Sequence, residues 1–214
     1  GAGQMGGGIA QVAAQSGLQV LLNDISDERV QQGLAAIGKI LQRNVEKEKI
    51  TAAEKEATLA RIAPSTSLED AARADFVVEA ATENMAIKTQ IFQALDKAAR
   101  PGVILATNTS SLPITEVAAV TGRPELVIGM HFMNPVPVMP LVEVIRGIAT
   151  SGETFAAVDA LAKAMGKTPV EVNDFPGFIS NRVLLPMINE AVYTLYEGVG
   201  NVESIDTAMR LGAN

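Results

Sequence analysis

The chain begins Gly1-Ala2-Gly3-Gln4-Met5-Gly6, a G-x-G-x-x-G run. Residues 6–15 follow with Ile9, Val12 and Ala13 on one helical face, and Gly17 ends that helix. Residues 19–24, Gln-Val-Leu-Leu-Asn-Asp, then form a short apolar run suited to a buried parallel strand. In the order loop, helix, strand, acid, each glycine has a task. Gly1 allows the tight turn, Gly3 lets the backbone approach a pyrophosphate, and Gly6 lets the helix pack closely. The helix N-terminus, entered through Gln4 and Met5, offers N–H groups and a partial positive charge to phosphates. Asp24 lies 18 residues after Gly6, near the spacing of ~20 for the acid that holds the adenine ribose hydroxyls. An acid there repels a 2′-phosphate, and no cation follows before Arg29, so NAD is expected over NADP. The alternative for Asp24 is an ordinary strand-end or capping aspartate.

Outward from this loop the alternation continues. Ser26 is a plausible N-cap, with Val30, Leu34, Ile37 and Leu41 at helical spacing behind it. Residues 43–55 are charge-rich and read as a solvated helix–turn–helix excursion, its second helix capped by Thr51. Buried-strand patterns occupy residues 75–80, 103–106, 126–131, 141–145 and 169–172, and helices are expected over 84–98 and 155–165. This is the pattern of an α/β, doubly wound, Rossmann-type and mainly parallel sheet. The glycine loop normally follows a strand, so a first strand is expected before Gly1, and the chain reads as a fragment cut at both ends. After Asp174 the alternation stops. Residues 178–198 and 204–211 look helical, with Pro186 expected to kink or weaken the first of them. The domain expectation is therefore an NAD-binding unit over residues 1–174 and the start of an all-helical unit over 175–214.

Composition narrows the chemistry. The 214 residues carry a net charge of −7 and are 48% hydrophobic, which describes a folded protein rather than a disordered tail. No basic patch suggests a nucleic-acid partner, and no apolar run reaches the ~18 residues of a membrane span. With no cysteine there is no disulfide framework, thiolate site or cysteine nucleophile, and one histidine excludes a multi-histidine metal site. The expectation is a cytoplasmic α/β protein, without a metal, that works with few special residues.

That single histidine, His131, closes a strand and enters the proline-rich segment Phe132-Met133-Asn134-Pro135-Val136-Pro137. Ligands bind at the carboxyl ends of strands in such sheets. Glu143 lies 12 residues on, among Leu141, Val142, Val144 and Ile145. A carboxylate in a buried strand is costly unless paired. If the proline turn folds the two strands together, Glu143 meets His131, fixes its tautomer and stabilises its charged form. His131 is then a candidate general base for taking a hydroxyl proton during hydride transfer. The opposing readings are a bystander histidine and a solvent-facing glutamate.

Other strand ends are polar or small. Residues 107–111, Thr-Asn-Thr-Ser-Ser, can hydrogen-bond a cofactor or substrate oxygen, while Ser111 can equally cap a helix ahead of Leu112-Pro113. Ala80-Ala81-Thr82-Glu83-Asn84 ends another strand with small residues that a nucleotide could approach. Asn181-Arg182 is either functional or a surface pair.

Together these residues resemble the L-3-hydroxyacyl-CoA dehydrogenase family, above all its bacterial 3-hydroxybutyryl-CoA branch. The resemblance spans nearly the whole chain. It is most specific in residues 108–112, in residues 131–139 with 141–144, and in Pro176-Gly177-Phe178-Ile179-Ser180-Asn181-Arg182. It implies NAD-dependent oxidation of (3S)-3-hydroxyacyl-CoA with His131 as base and Glu143 as its orienting partner. It further implies that Ser110 and Asn181 help to place the substrate's 3-oxygen or the histidine. Asn108 and Asn134 would line the nicotinamide and substrate region, Glu83 and Lys88 would contact the cofactor, and Lys47 would serve the CoA phosphates. A homodimer through the helical unit is also implied. The rival readings are a CoA-independent sugar-acid dehydrogenase of gulonate type and a non-catalytic NAD-binding protein. A segment of a longer multifunctional β-oxidation protein is also open.

Overall fold

The structure, a computed structural model, describes residues 1–213. It divides into two compact units, one over Gly1–Phe175 and one that starts at Pro176. The first contains seven strands: β1 (Val20–Asn23), β2 (Ile62–Ser65), β3 (Phe76–Glu79), β4 (Ile104–Thr107), β5 (Val127–Phe132), β6 (Leu141–Arg146) and β7 (Thr168–Asn173). Its helices are α1 (Gln4–Gln15), α2 (Asp27–Glu46), α3 (Ala52–Ala60), α4 (Met85–Ala98), α5 (Ile114–Ala119) and α6 (Gly152–Ala164).

The strands form two ladders, β1 with β2 and a five-stranded set in the order β3-β4-β5-β6-β7. All pairs are parallel except β5 with β6. That exception follows from chain length. Only the eight residues 133–140 join β5 to β6, and a parallel crossover needs about a dozen or more. Ile9 and Val12 of α1 pack with Ala106, Ile128, Met130, Val142 and Val144 of the sheet, and Val158 and Ala162 of α6 join the same core. A second core lies under β1 and β2, where Ala10 and Ala14 meet Leu22, Ile37, Leu41 and Ile62.

Several local expectations change. Helix α1 starts at Gln4 rather than residue 6, because the glycine loop itself winds into the first turn, with Gly7 N–H donating to the Gly3 carbonyl at 2.7 Å. The four-residue β2 was not expected. It holds Pro64, which a two-stranded ladder tolerates where a central strand would not. The excursion is the expected pair of helices, α2 and α3, and Thr51 and Glu54 form a reciprocal capping box on α3. Ser111 does not cap α5. Pro113 holds the N-cap position in an extended conformation, and the first N–H groups of α5 go instead to Asp174, from Ile114 at 3.0 Å and Thr115 at 2.7 Å.

The second unit contains α7 (Ser180–Tyr196) and α8 (Val202–Gly212). Helix α7 starts two residues later than expected, because Gly177 and Phe178 take φ of 78° and 51° and so cannot continue a right-handed helix. It is unbroken through Pro186. Among the described residues no helix is long and apolar enough to cross a membrane.

Candidate active site

The glycine loop sits between the ends of the two ladders. A Cβ on Gly1 would stand 2.5 Å from the Ala80 carbonyl at the end of β3, and a Cβ on Gly6 would collide with the Gly1 carbonyl. Nothing lies within 4 Å of where a Gly3 Cβ would point. Two glycines are thus demanded by packing, whereas the third leaves the loop open on its outer side. Gly3 is the N-cap of α1 and makes no side-chain cap hydrogen bond, so the positive helix end faces that opening uncapped. This is a cradle of the shape and polarity that a pyrophosphate requires. Met5 lies on the inner side of the helix, against the sheet core.

An open cleft of about 760 Å³ begins at this loop and is lined by Gly3, Gln4, Asp24, Arg29, Asn134 and Pro137 among others. Asp24 Oδ2 accepts the Ala2 N–H and Oδ1 the Ile25 N–H, both at 2.7 Å. Partial burial works to raise its pKa, but these two donors outweigh it and hold the carboxyl below the usual range. Asp24 is therefore a fixed anion at the β1 end of the cleft. Gln4 Nε2 donates to Asn134 Oδ1 at 3.0 Å, which ties the glycine loop to the proline turn after β5.

That turn is held from beneath. Lys167, 9% exposed, donates from Nζ to the Val136 and Met139 carbonyls at 2.5 and 2.9 Å. Burial lowers its pKa. Replacing Lys167 with Met strands two carbonyls and is expected to cost about 1–3 kcal/mol of stability. Thermal unfolding measures this, and an unchanged Tm would remove the lysine from the turn's support.

The ends of β3 and β4 carry a second cluster. Glu83 Oε1 accepts the Thr109 hydroxyl at 2.5 Å and the backbone N–H groups of Ser110 and Ser111 at 2.8 and 3.2 Å. The Ser110 hydroxyl donates to the same oxygen at 3.2 Å. Burial opposes the charge on Glu83, yet these donors and the Lys88 ammonium hold its pKa below the ordinary value. Lys88 is 1% exposed and lies 2.8 Å from Glu79 and 3.6 Å from Glu83. Asn108 accepts the Phe132 N–H on its Oδ1 at 2.9 Å, and so locks the end of β4 beside His131.

Antiparallel pairing sets His131 directly opposite Glu143. His131 Nδ1 lies 2.8 Å from Glu143 Oε2, and both residues are buried. A carboxylate facing Nδ1 favours the tautomer with its proton there, which makes Nε2 the basic nitrogen. The carboxylate also offers a counter-charge to an imidazolium. Such a pair can take up a proton without a metal.

The expected residues therefore fall into sets. Gly1, Gly3, Gln4, Gly6, Asp24, Ala80 and Asn134 surround the loop and cleft, Glu83, Lys88 and Ser110 share one polar cluster, and His131 pairs with Glu143. Lys47 is exposed just past the end of α2 and does not line the cleft. Asn181 lies in the first turn of α7, in the second unit. Sequence reasoning missed Glu79 and Lys167. Glu79 carried a usable signal, a carboxylate in a buried strand, as Glu143 is.

Comparison with known proteins finds matches along the whole chain. The family model described as 3-hydroxyacyl-CoA dehydrogenase, NAD binding domain, matches residues 1–175, and the one for the C-terminal domain matches residues 177–214. The chain is 61% identical over its full length to a Bacillus subtilis protein named probable 3-hydroxybutyryl-CoA dehydrogenase, covering 75% of that protein. It is 53% identical over its full length to the 3-hydroxybutyryl-CoA dehydrogenase of Bradyrhizobium diazoefficiens, covering 73% of it. The crystal structure of (S)-3-hydroxybutyryl-CoA dehydrogenase from Ralstonia eutropha superposes with a TM-score of 0.98 at 53% identity, over 100% of this chain and 76% of that one. The uncapped glycine cradle, the fixed Asp24 and the buried His131–Glu143 pair thus occur in a chain that belongs to the 3-hydroxyacyl-CoA dehydrogenase family.

Proposed function

We propose that the protein oxidises short-chain (3S)-3-hydroxyacyl-CoA, with 3-hydroxybutyryl-CoA as the first candidate, to 3-oxoacyl-CoA. The observation that carries this reading is the buried His131–Glu143 pair at 2.8 Å, placed at a strand's carboxyl end. NAD, when bound, supplies the acceptor for the hydride that leaves C3. His131 Nε2 takes the proton of the 3-hydroxyl as its O–H bond breaks and the C3 carbonyl forms. Glu143 holds the ring and balances its new charge. Ser110 and Asn181 place the 3-oxygen or the histidine.

Gly1, Gly3, Gln4, Met5 and Gly6 form the pyrophosphate cradle, and Ala80 gives it close backing. Asp24 holds the adenine ribose. Glu83 and Lys88 shape the cofactor side of the site, and Asn108 and Asn134 line the nicotinamide and substrate region. Lys47 on the helical excursion serves the CoA phosphates. Residues 1–174 make up the NAD unit, and residues 175–214 begin the helical unit for substrate and dimer contacts. The protein is read as cytoplasmic, without a membrane or nucleic-acid partner.

The deciding assay is NADH oxidation by the full-length protein with acetoacetyl-CoA and with free acetoacetate in parallel. Turnover of the thioester alone is the expected result. Turnover of a free hydroxy or oxo acid at equal efficiency would favour a CoA-independent dehydrogenase instead. For the cofactor, Asp24→Ala is expected to raise the KM for NAD about tenfold, the equivalent of one charge-assisted hydrogen bond. An unchanged KM would leave Asp24 as a capping residue only.

A further inference from the structure

Glu79 belongs to none of the roles above, yet it anchors the polar cluster. It closes β3 and is 4% exposed. Both its oxygens lie 2.8 Å from Lys88 Nζ. Its Oε2 also accepts the Thr107 hydroxyl at 2.7 Å, and its Oε1 the Ala81 N–H at 2.6 Å. Every donor that reaches it is held by the ends of β3 and β4 or by α4, so the carboxylate cannot shift without moving a strand end.

Lys88 stands between two carboxylates and touches only one closely. Glu79 takes its ammonium with both oxygens, while Glu83 remains at 3.6 Å through Oε2. Because Glu79 meets most of the ammonium's demand, Glu83 can turn Oε1 towards Thr109, Ser110 and Ser111. A buried ammonium that has lost its main counter-ion is costly and seeks another. The nearest one is Glu83, and a move of that carboxylate towards Lys88 draws Oε1 away from the serine loop.

We propose that Glu79 is a positioning residue for catalysis, holding Lys88 so that Glu83 stays on the serine loop and sets Ser110 for the substrate. The proposal rests on the reading of Ser110 as a substrate-placing residue. It predicts that Glu79 and Ser110 act as one unit although no direct bond joins them. Groups acting through one another give non-additive effects, and independent ones add.

The test is a double-mutant cycle in the full-length protein with Glu79→Gln, Ser110→Ala and both together. It reads kcat and KM for acetoacetyl-CoA, the Kd of NADH by fluorescence, and the Tm of the cofactor-free protein. Glu79→Gln is expected to lower kcat about tenfold in the wild-type background, as one misplaced hydrogen-bonding group would. In the Ser110→Ala background it should lower kcat hardly at all. Should Glu79→Gln not fold, Glu79→Asp takes its place in the cycle, because it keeps a buried counter-charge while its shorter side chain loosens the hold on Lys88. That variant is expected to hold the Tm nearer to wild type while kcat still falls. Wild-type kcat in whichever Glu79 variant folds, or an equal loss in both backgrounds, would overturn the proposal. A Ser110→Ala variant with unchanged kcat and KM would instead overturn the reading of Ser110 on which the proposal stands.

Discussion

Replacing His131 with Gln is expected to lower turnover about 10³-fold, within the range that a positioned general base contributes. NADH binding is expected to persist. The glutamine amide can still donate a hydrogen bond to Glu143, so the buried carboxylate keeps a partner and the fold keeps its β5–β6 pairing. What the amide cannot do is accept a proton near neutral pH. The cradle proposed for the cofactor lies elsewhere, on the glycine loop, α1 and Asp24. Steady-state kinetics with acetoacetyl-CoA and a fluorescence titration with NADH measure the two properties separately. Turnover near the wild-type rate would remove His131 from the chemistry. Loss of NADH binding and turnover together would mean that the substitution had damaged the sheet rather than the base.

How far the sequence could lead here depended on the range of the interactions involved. The span from Gly1 to Asp24 was readable because each part has a local signature: glycines at fixed offsets, a helical apolar face, and a short apolar run ending in an acid. The meeting of His131 and Glu143 was readable for another reason. Prolines over a short link allow only a fold-back, and a strand carboxylate needs a partner within reach. The four-residue β2, by contrast, has too few apolar residues for any period to show and is stabilised by its pairing with β1. The start of α5 was not legible locally, because its first N–H groups are satisfied by Asp174, 60 residues away from Ile114. No local pattern reports a cap supplied from such a distance. The cluster of Glu79, Lys88 and Glu83 falls between these cases. Each residue is visible as a charge near a strand end or on a helix, but only the fold reveals that one ammonium sits between both carboxylates.

Replacing Glu143 with Gln separates electrostatics from packing at the same site, and its two readouts are expected to diverge. The side chain is nearly isosteric, and its carbonyl can still accept the Nδ1 proton of His131. Turnover is nevertheless expected to fall about 10²-fold, because a neutral amide gives the imidazolium far less support than a carboxylate. Stability should hold or rise, since a neutral amide is cheaper to bury than a charge and Glu143 is only 1% exposed in the middle of β6. KM for acetoacetyl-CoA should change little, as the carboxylate acts on the histidine and not on the substrate. In the double variant with His131→Gln, the loss should equal that of His131→Gln alone, because a counter-charge has no task once the base is gone. If Tm and kcat fell together in Glu143→Gln, Glu143 would be a structural carboxylate of the strand. If the double variant were slower than His131→Gln by the full factor of the single change, the two residues would be acting independently and the pair would not be the unit that moves the proton.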